Sequence, residues 1–176
     1  HEHPLIEDMP KGFMATQKGK RSINWRADKP ATLVWAEALD GGDPAMEVPY
    51  RDEVFELPAP FTGTPRSIVK TINRYAGITW GTENLALVDD RWWNTRNTKT
   101  YIFNPSNPSQ KPEIIFDRNY QDNYSDPGNF DTRRNEWGRY VLNLENDNAY
   151  LIGEGFTEKG QFPFIDQFNL KTKKKT

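Results

Sequence analysis

A chain of 176 residues with a formal net charge of −2 has room for one domain with its own core, and carries no general attraction for nucleic acid or anionic lipid. The absence of cysteine removes disulfides, thiol catalysis and thiolate metal sites together. Hydrophobic residues make up only 35% of the chain and aromatic residues 13%, with six Trp, thirteen Pro and twelve Gly, a mixture that favours short strands and frequent turns over helices or disorder.

The first residues, "HEHPLIEDMP", lack an initiator Met and a signal-peptide pattern, which reads as a mature or trimmed start. His1 and His3 are nitrogen ligands of the kind copper or nickel takes. They are read instead as histidines on a loose terminus, and no metal is assigned. Residues 1–20 hold no strong period and read as the end of a preceding repeat or a connecting segment.

From residue 21 the chain repeats itself. "SINWRADKPATLVWAEA" and "GITWGTENLALVDDRWW" share an Ile-x-Trp strand, a polar turn and a second apolar run, with Trp25 answered by Trp80 and Val34 by Leu87. "RDEVFELPAPFTGTPRSIV" then matches "TKTYIFNPSNPSQKPEII", with Phe55 answered by Phe103 and Ile68 by Ile114. The unit over 21–73 predicts strands at 21–26, 32–38, 53–57 and 66–71. The unit over 74–119 predicts strands at 76–80, 85–90, 99–104 and 113–117. "EVFEL" and "TYIFN" alternate as half-buried strands do, and "GTEN", "APFTGTP" and "PSNPSQKP" supply the reversals.

Between the second and third strands of the first unit, "LDGGDP" places Asp40 and Asp43 around two glycines. The pattern reads as a tight turn rather than a cation site, because calcium asks for six or more oxygens in a defined loop. In the second unit, "DDRWWNTR" sets Trp92 and Trp93 side by side. Neighbours on a strand face opposite ways, so at least one indole must leave its own sheet face for a neighbouring repeat or loop. Arg91 and Arg96 flank them and suit either stacking on those rings or pairing with a carboxylate.

Residues 120–176 read as a long loop followed by a third, truncated unit. In the loop, Asp122, Asn123, Asp126, Asn129 and Asp131 are oxygen-rich; an exposed turn is the favoured reading, with calcium left open. "YVLNLENDNAYLIGEGF" and "FPFIDQFNLKT" repeat the first three strands, and the fourth is expected to be missing. The tail "KTKKKT" reads as a solvated loop or the cut end of a hairpin rather than a binding tail. Four antiparallel strands recurring at roughly fifty residues mark an all-β chain, a partial β-propeller of about two and a half to three four-stranded blades. The expected core is Ile23, Trp25, Leu33, Val34, Val54, Phe55, Ile68, Ile78, Trp80, Leu85, Leu87, Tyr101, Phe103, Ile114, Leu142, Leu144, Ile152 and Phe168.

The block "NWRADKPATLVWAEALDGGDP", with "RDEVFEL" and "RYAGITWGTENLALV" before "WWNTRNTKTY", resembles the propeller of glutamyl endopeptidase-type serine peptidases of the prolyl-oligopeptidase-like group. The resemblance runs from Gly12 to Lys173. It implies a propeller N-terminal to an α/β-hydrolase domain that carries a Ser-Asp-His triad and cleaves peptides with a preference after glutamate. It also implies a bacterial exported or periplasmic setting, or a plastid in plants. The chain itself departs from that pattern. It has no G-x-S-x-G elbow, its serines (Ser22, Ser67, Ser106, Ser109, Ser125) lie in strand or turn contexts, and its only histidines are His1 and His3, so no catalytic residue is assigned.

What the resemblance leaves to this chain is gating and selection of peptides, with Arg91, Trp92, Trp93 and Arg96 as substrate-binding candidates and no cofactor. Its partners would be the hydrolase domain, a peptide and, through open blade edges, a second copy, with no nucleic acid or membrane. "TRRNEWGRY" interleaves basic and aromatic residues but carries no nucleic-acid-binding motif. The alternative is a free-standing binding module for a protein or carbohydrate ligand.

Overall fold

The computed structural model describes residues 3–176, so the part of the terminal metal alternative that rests on His1 lies outside the described residues. Apart from a 3-10 turn at Ile6–Asp8, regular structure is all strand, and no helix among the described residues could cross a membrane.

The first sheet comprises β1 (Arg21–Trp25), β2 (Thr32–Ala38), β3 (Asp52–Pro58) and β4 (Arg66–Thr71). The second comprises β5 (Arg74–Thr82), β6 (Leu85–Trp92), β7 (Asn97–Phe103) and β8 (Glu113–Asn119). Each is an antiparallel meander in chain order. These are the strands expected from the repeat, with β5 and β6 running further where the ladder continues through Arg74↔Arg91 and Trp92↔Asn97.

The third region is more broken. β9 (Asn129–Phe130) precedes a hairpin of β10 (Thr132–Arg134) and β11 (Tyr140–Leu142); β9 and β10 lie inside the segment expected to be loop, and β11 opens the stretch expected to be strand. The third sheet is then built from β12 (Leu144–Glu145) and β13 (Asn148–Gly153). A small hairpin follows, of β14 (Phe156–Thr157) and β15 (Gly160–Gln161). The sheet resumes with β16 (Phe164–Asn169) and β17 (Lys174–Lys175). Its order is β12-β13-β16-β17, with β9 also on β13. The fourth strand, expected to be missing, is present: β17 pairs with β16 through Phe168↔Lys175 and Asn169↔Lys174, so the basic tail is the end of a hairpin, its two strand residues still exposed.

The sheets pack through their faces. Val34, Ala36, Val54, Ile68 and Val69 of the first meet Trp80, Ala86, Val88, Tyr101 and Phe103 of the second, with Val141 of β11 closing the cluster. The opposite face of the second sheet gives Leu85, Ile102, Ile115 and Phe116 to Ala149, Leu151, Phe168 and Leu170. The hairpin tip between β10 and β11 reaches back to the first sheet. There Asn135 Nδ2 donates to Ala27 O at 2.7 Å, and Arg139 Nη1 donates to Arg26 O and Lys29 O at 2.7 and 3.0 Å.

Four expected core residues are exposed instead: Ile23, Trp25, Ile114 and Ile152. Trp25 is turned away from the core shared with the second sheet and, among the described residues, meets only the Phe61 ring as an aromatic partner, and Ile152 alternates with the buried Ala149 and Leu151 of β13. Ile23 sits where the β1 register slips, between Arg21 and Asn24.

One interior position of the first sheet is an ion cluster. Arg26 is fully buried, its guanidinium 4.2 Å from the Trp80 ring and paired with Asp28 and Glu56, while Arg66 also pairs with Glu56. Burial pushes the Glu56 carboxyl up, but Arg26 and Arg66 more than offset this and hold it below its ordinary value of 4.5. A carboxylate depressed in the folded state contributes stability above its unfolded pKa and loses it as pH falls through the folded value. The urea midpoint should therefore fall as pH drops below about 4.5, and Glu56→Gln should flatten that slope. Parallel slopes for the two proteins would remove Glu56 as a cause.

Candidate functional site

Strand β6 sorts its side chains by alternation. Ala86, Val88 and Asp90 point toward the first sheet; Leu87, Asp89 and Arg91 point toward the third. Trp92 follows the first set and lies under the Arg51 guanidinium at 3.8 Å. Trp93 leaves the strand, stacks on Phe13 of the amino-terminal segment at 5.1 Å and carries Arg96 over its ring at 3.7 Å. Arg96 closes the turn at φ 55°, a left-handed conformation uncommon for a long side chain, and donates to Trp93 O. Arg91 lies over Tyr120 at 4.6 Å. The four predicted residues therefore do not share one face. Arg91 belongs to a cleft between the second and third sheets, Trp92 to the contact with the first, and Trp93 with Arg96 to the amino-terminal strap.

Beneath this end of the molecule lies a buried network with no counterpart in the candidate set. Asp40 accepts from Arg51 Nη1 and Arg74 Nη1, both at 2.8 Å, and from Gly42 N at 2.9 Å. Asp52 accepts from Arg21, from Arg74 Nη1 at 3.2 Å and from Tyr75 N at 2.6 Å. Arg74 Nε donates to Met14 O at 2.8 Å, which ties the strap down. Gly42, at φ 80°, permits the same closure: a Cβ there would come within 1.9 Å of Thr16 O. Asp40 is thus held by arginines as part of a turn, and no group of three or more metal-ligating side chains occurs among the described residues. Asp90 is a second hub, accepting from Asn73 N, Asn73 Nδ2, Lys99 N and the Tyr101 hydroxyl. A signal for both hubs was present: Asp52 and Asp90 occupy the apolar phase of their strands, in step with Val54 and Val88.

The cleft has a volume of about 560 Å³. Its floor is the polar half of the second sheet, where the pairings Asp89↔Thr100 and Arg91↔Thr98 set the rows and Phe116 and Arg118 continue them on β8. The facing wall is Asp126 to Phe130, turned by Gly128 at φ 85°, where a Cβ would meet Ile152 O at 2.6 Å. Arg118 pairs with Asp126 at 3.0 Å, so the oxygen-rich loop is tied to the sheet by an arginine. Burial pushes the Asp89 carboxyl above its ordinary range; the neighbouring Asp90 charge adds to this, and the Thr100 hydroxyl and Arg91 oppose it.

Two curated proteins match nearly the whole chain. A probable glutamyl endopeptidase, chloroplastic, of Oryza sativa subsp. japonica is 43% identical over 176 residues, covering 96% of this chain. A protein of the same name from Arabidopsis thaliana is 44% identical over 177 residues, again covering 96%. This chain is homologous to a segment of the glutamyl endopeptidases. It spans 19% and 18% of the length of these two relatives, so their names describe far longer proteins. No family model matches the chain, and no solved structure does.

Proposed function

We propose that the chain is a propeller portion of a serine peptidase of the glutamyl endopeptidase kind, and that it screens peptides for a hydrolase domain outside these residues. The observation that carries this reading is the 43–44% identity over 96% of the chain to proteins of that name. Two four-stranded meanders and a third sheet whose main path, β12-β13-β16-β17, also runs in chain order pack through their faces as successive blades require, which supports the propeller part of the reading. The exposed outer faces around Trp25 and Ile152 are then surfaces for neighbouring blades or, in the isolated chain, for a second copy.

Arg91 and Arg96 act in this proposal as the basic groups that favour acidic peptides, since a guanidinium pairs with a carboxylate through two parallel bonds. The double variant Arg91→Ala, Arg96→Ala in the full-length peptidase should lower kcat/KM for acidic peptides by about tenfold and leave neutral ones unchanged. An equal loss for both classes would end this role for the two arginines.

A further inference from the structure

The polar groups of the cleft between the second and third sheets differ in how fully they are used. Thr98 Oγ1 donates to Asp90 O at 2.7 Å, and Thr100 Oγ1 donates to Asp89 Oδ1 at 2.6 Å. Arg118 is occupied by Asp126, Asn119 O and Asp122 O, and Asp126 Oδ1 accepts from Gly128 N. Two groups keep unfilled capacity. Among the described residues Asp89 Oδ2 accepts no hydrogen bond, and the Arg91 guanidinium has the Tyr120 ring as its contact, the Asp89 charge as an electrostatic neighbour and no hydrogen-bond acceptor for its N–H groups. One is an open anion and the other an open cation, side by side on one face of β6.

Asp89 and Arg91 are rooted two residues apart on one face of the strand. Residues i and i+2 of a strand lie about 7 Å apart. A dipeptide in extended form spans about the same distance from its ammonium to its carboxylate. Phe116 and Phe130, with ring centroids 6.0 Å apart, give the cleft apolar walls that suit a side chain. Asn129 on the facing wall offers an amide for a peptide group. A cavity of about 560 Å³ lies within the range of sites that enclose small molecules.

We propose that this cleft binds a short zwitterionic peptide, a dipeptide in the first place, with its free ammonium on Asp89 and its carboxylate on Arg91. The inference rests on the reading of Arg91 as a carboxylate-binding residue and adds to it the requirement for a free amino terminus. In a peptidase, such a ligand has the chemistry of a short cleavage product.

The test is calorimetric titration of the full chain with Ala-Phe, N-acetyl-Ala-Phe and Ala-Phe-amide. Ala-Phe should bind in the millimolar range or tighter, and either blocked form should bind at least tenfold more weakly, since each loses a charge-assisted pair. Asp89→Asn should erase the penalty for acetylation, and Arg91→Gln the penalty for amidation. Equal affinity for Ala-Phe and its acetylated form, with the amide weakened, would overturn the inference while leaving Arg91 as a carboxylate site. Equal affinity for Ala-Phe and the amide would overturn the inference and the Arg91 reading together. Heat absent for all three peptides up to about 10 mM, or identical for all three, would also end it.

Discussion

Replacing Arg74 by Ala lowers the unfolding free energy of this chain by about 3–5 kcal/mol, the cost expected when one partner of a buried charge cluster is removed. Arg74 is 4% exposed and holds two carboxylates, Asp40 and Asp52, that are themselves 4% and 0% exposed. The two respond differently to one cation. Burial raises the Asp40 carboxyl, but Arg74, Arg51 and the Gly42 N–H more than compensate and leave it below its ordinary value. At Asp52 burial prevails over Arg21, Tyr75 N and Arg74, and the carboxyl ends above its ordinary value. Without Arg74, Asp40 keeps only Arg51 as a charge partner, Asp52 keeps only Arg21, and the strap loses its bond at Met14 O. Arg74→Lys keeps the charge without the planar fork, and should recover part of the loss. Urea unfolding of the three proteins at neutral pH reads the effect; a deficit under about 1 kcal/mol for the Ala variant would mean water replaces the guanidinium at little cost.

Trp80→Ala should cost about 3–5 kcal/mol, while Trp25→Ala should cost under about 1 kcal/mol, although the repeat gives the two tryptophans the same position. Trp80 is 5% exposed, meets Phe103 edge-on at 6.5 Å and carries the Arg26 guanidinium on its face. Removing it opens a cavity between the first and second sheets and strips Arg26 of its ring. Trp25 is 46% exposed, with the Phe61 ring at 6.0 Å as its aromatic contact. Matched thermal and urea unfolding of both variants decides the point. Equal losses would mean that the faces are covered alike and that the stacking described for the two sheets is wrong.

The contrast between these tryptophans marks the limit of the repeat as a guide. Local rules suffice for the meanders: alternation in "EVFEL" and "TYIFN" sets strand phase, Gly, Pro and Asn set the reversals, and the strands of the first two sheets lie where those signals put them. The glutamyl endopeptidase likeness was legible for the same reason, since it rests on blocks such as "NWRADKP" that can be compared letter by letter. The third sheet was legible less fully. β17 has two residues and a basic composition that resembles a solvated tail, and only the free edge of β16 gives it a partner.

The candidate site shows the same division. That Trp92 and Trp93 must part company followed from strand geometry; of the expected stacking of Arg91 and Arg96 on those indoles, Arg96 takes the Trp93 ring, while Arg91 lies over Tyr120 instead. Their partners could not be read, because Arg51, Phe13 and Tyr120 are distant in sequence and meet them only when sheets and strap pack together. Asp89 was overlooked because a carboxylate in a strand carries no mark of the unfilled oxygen it presents to a cleft. A two-residue period says that a strand has two faces, and the sequence alone determined which side chains share each of them. Which face meets another sheet, which meets water and which borders a cavity was decided only by the stacking of the sheets, since burial belongs to the neighbour as much as to the residue.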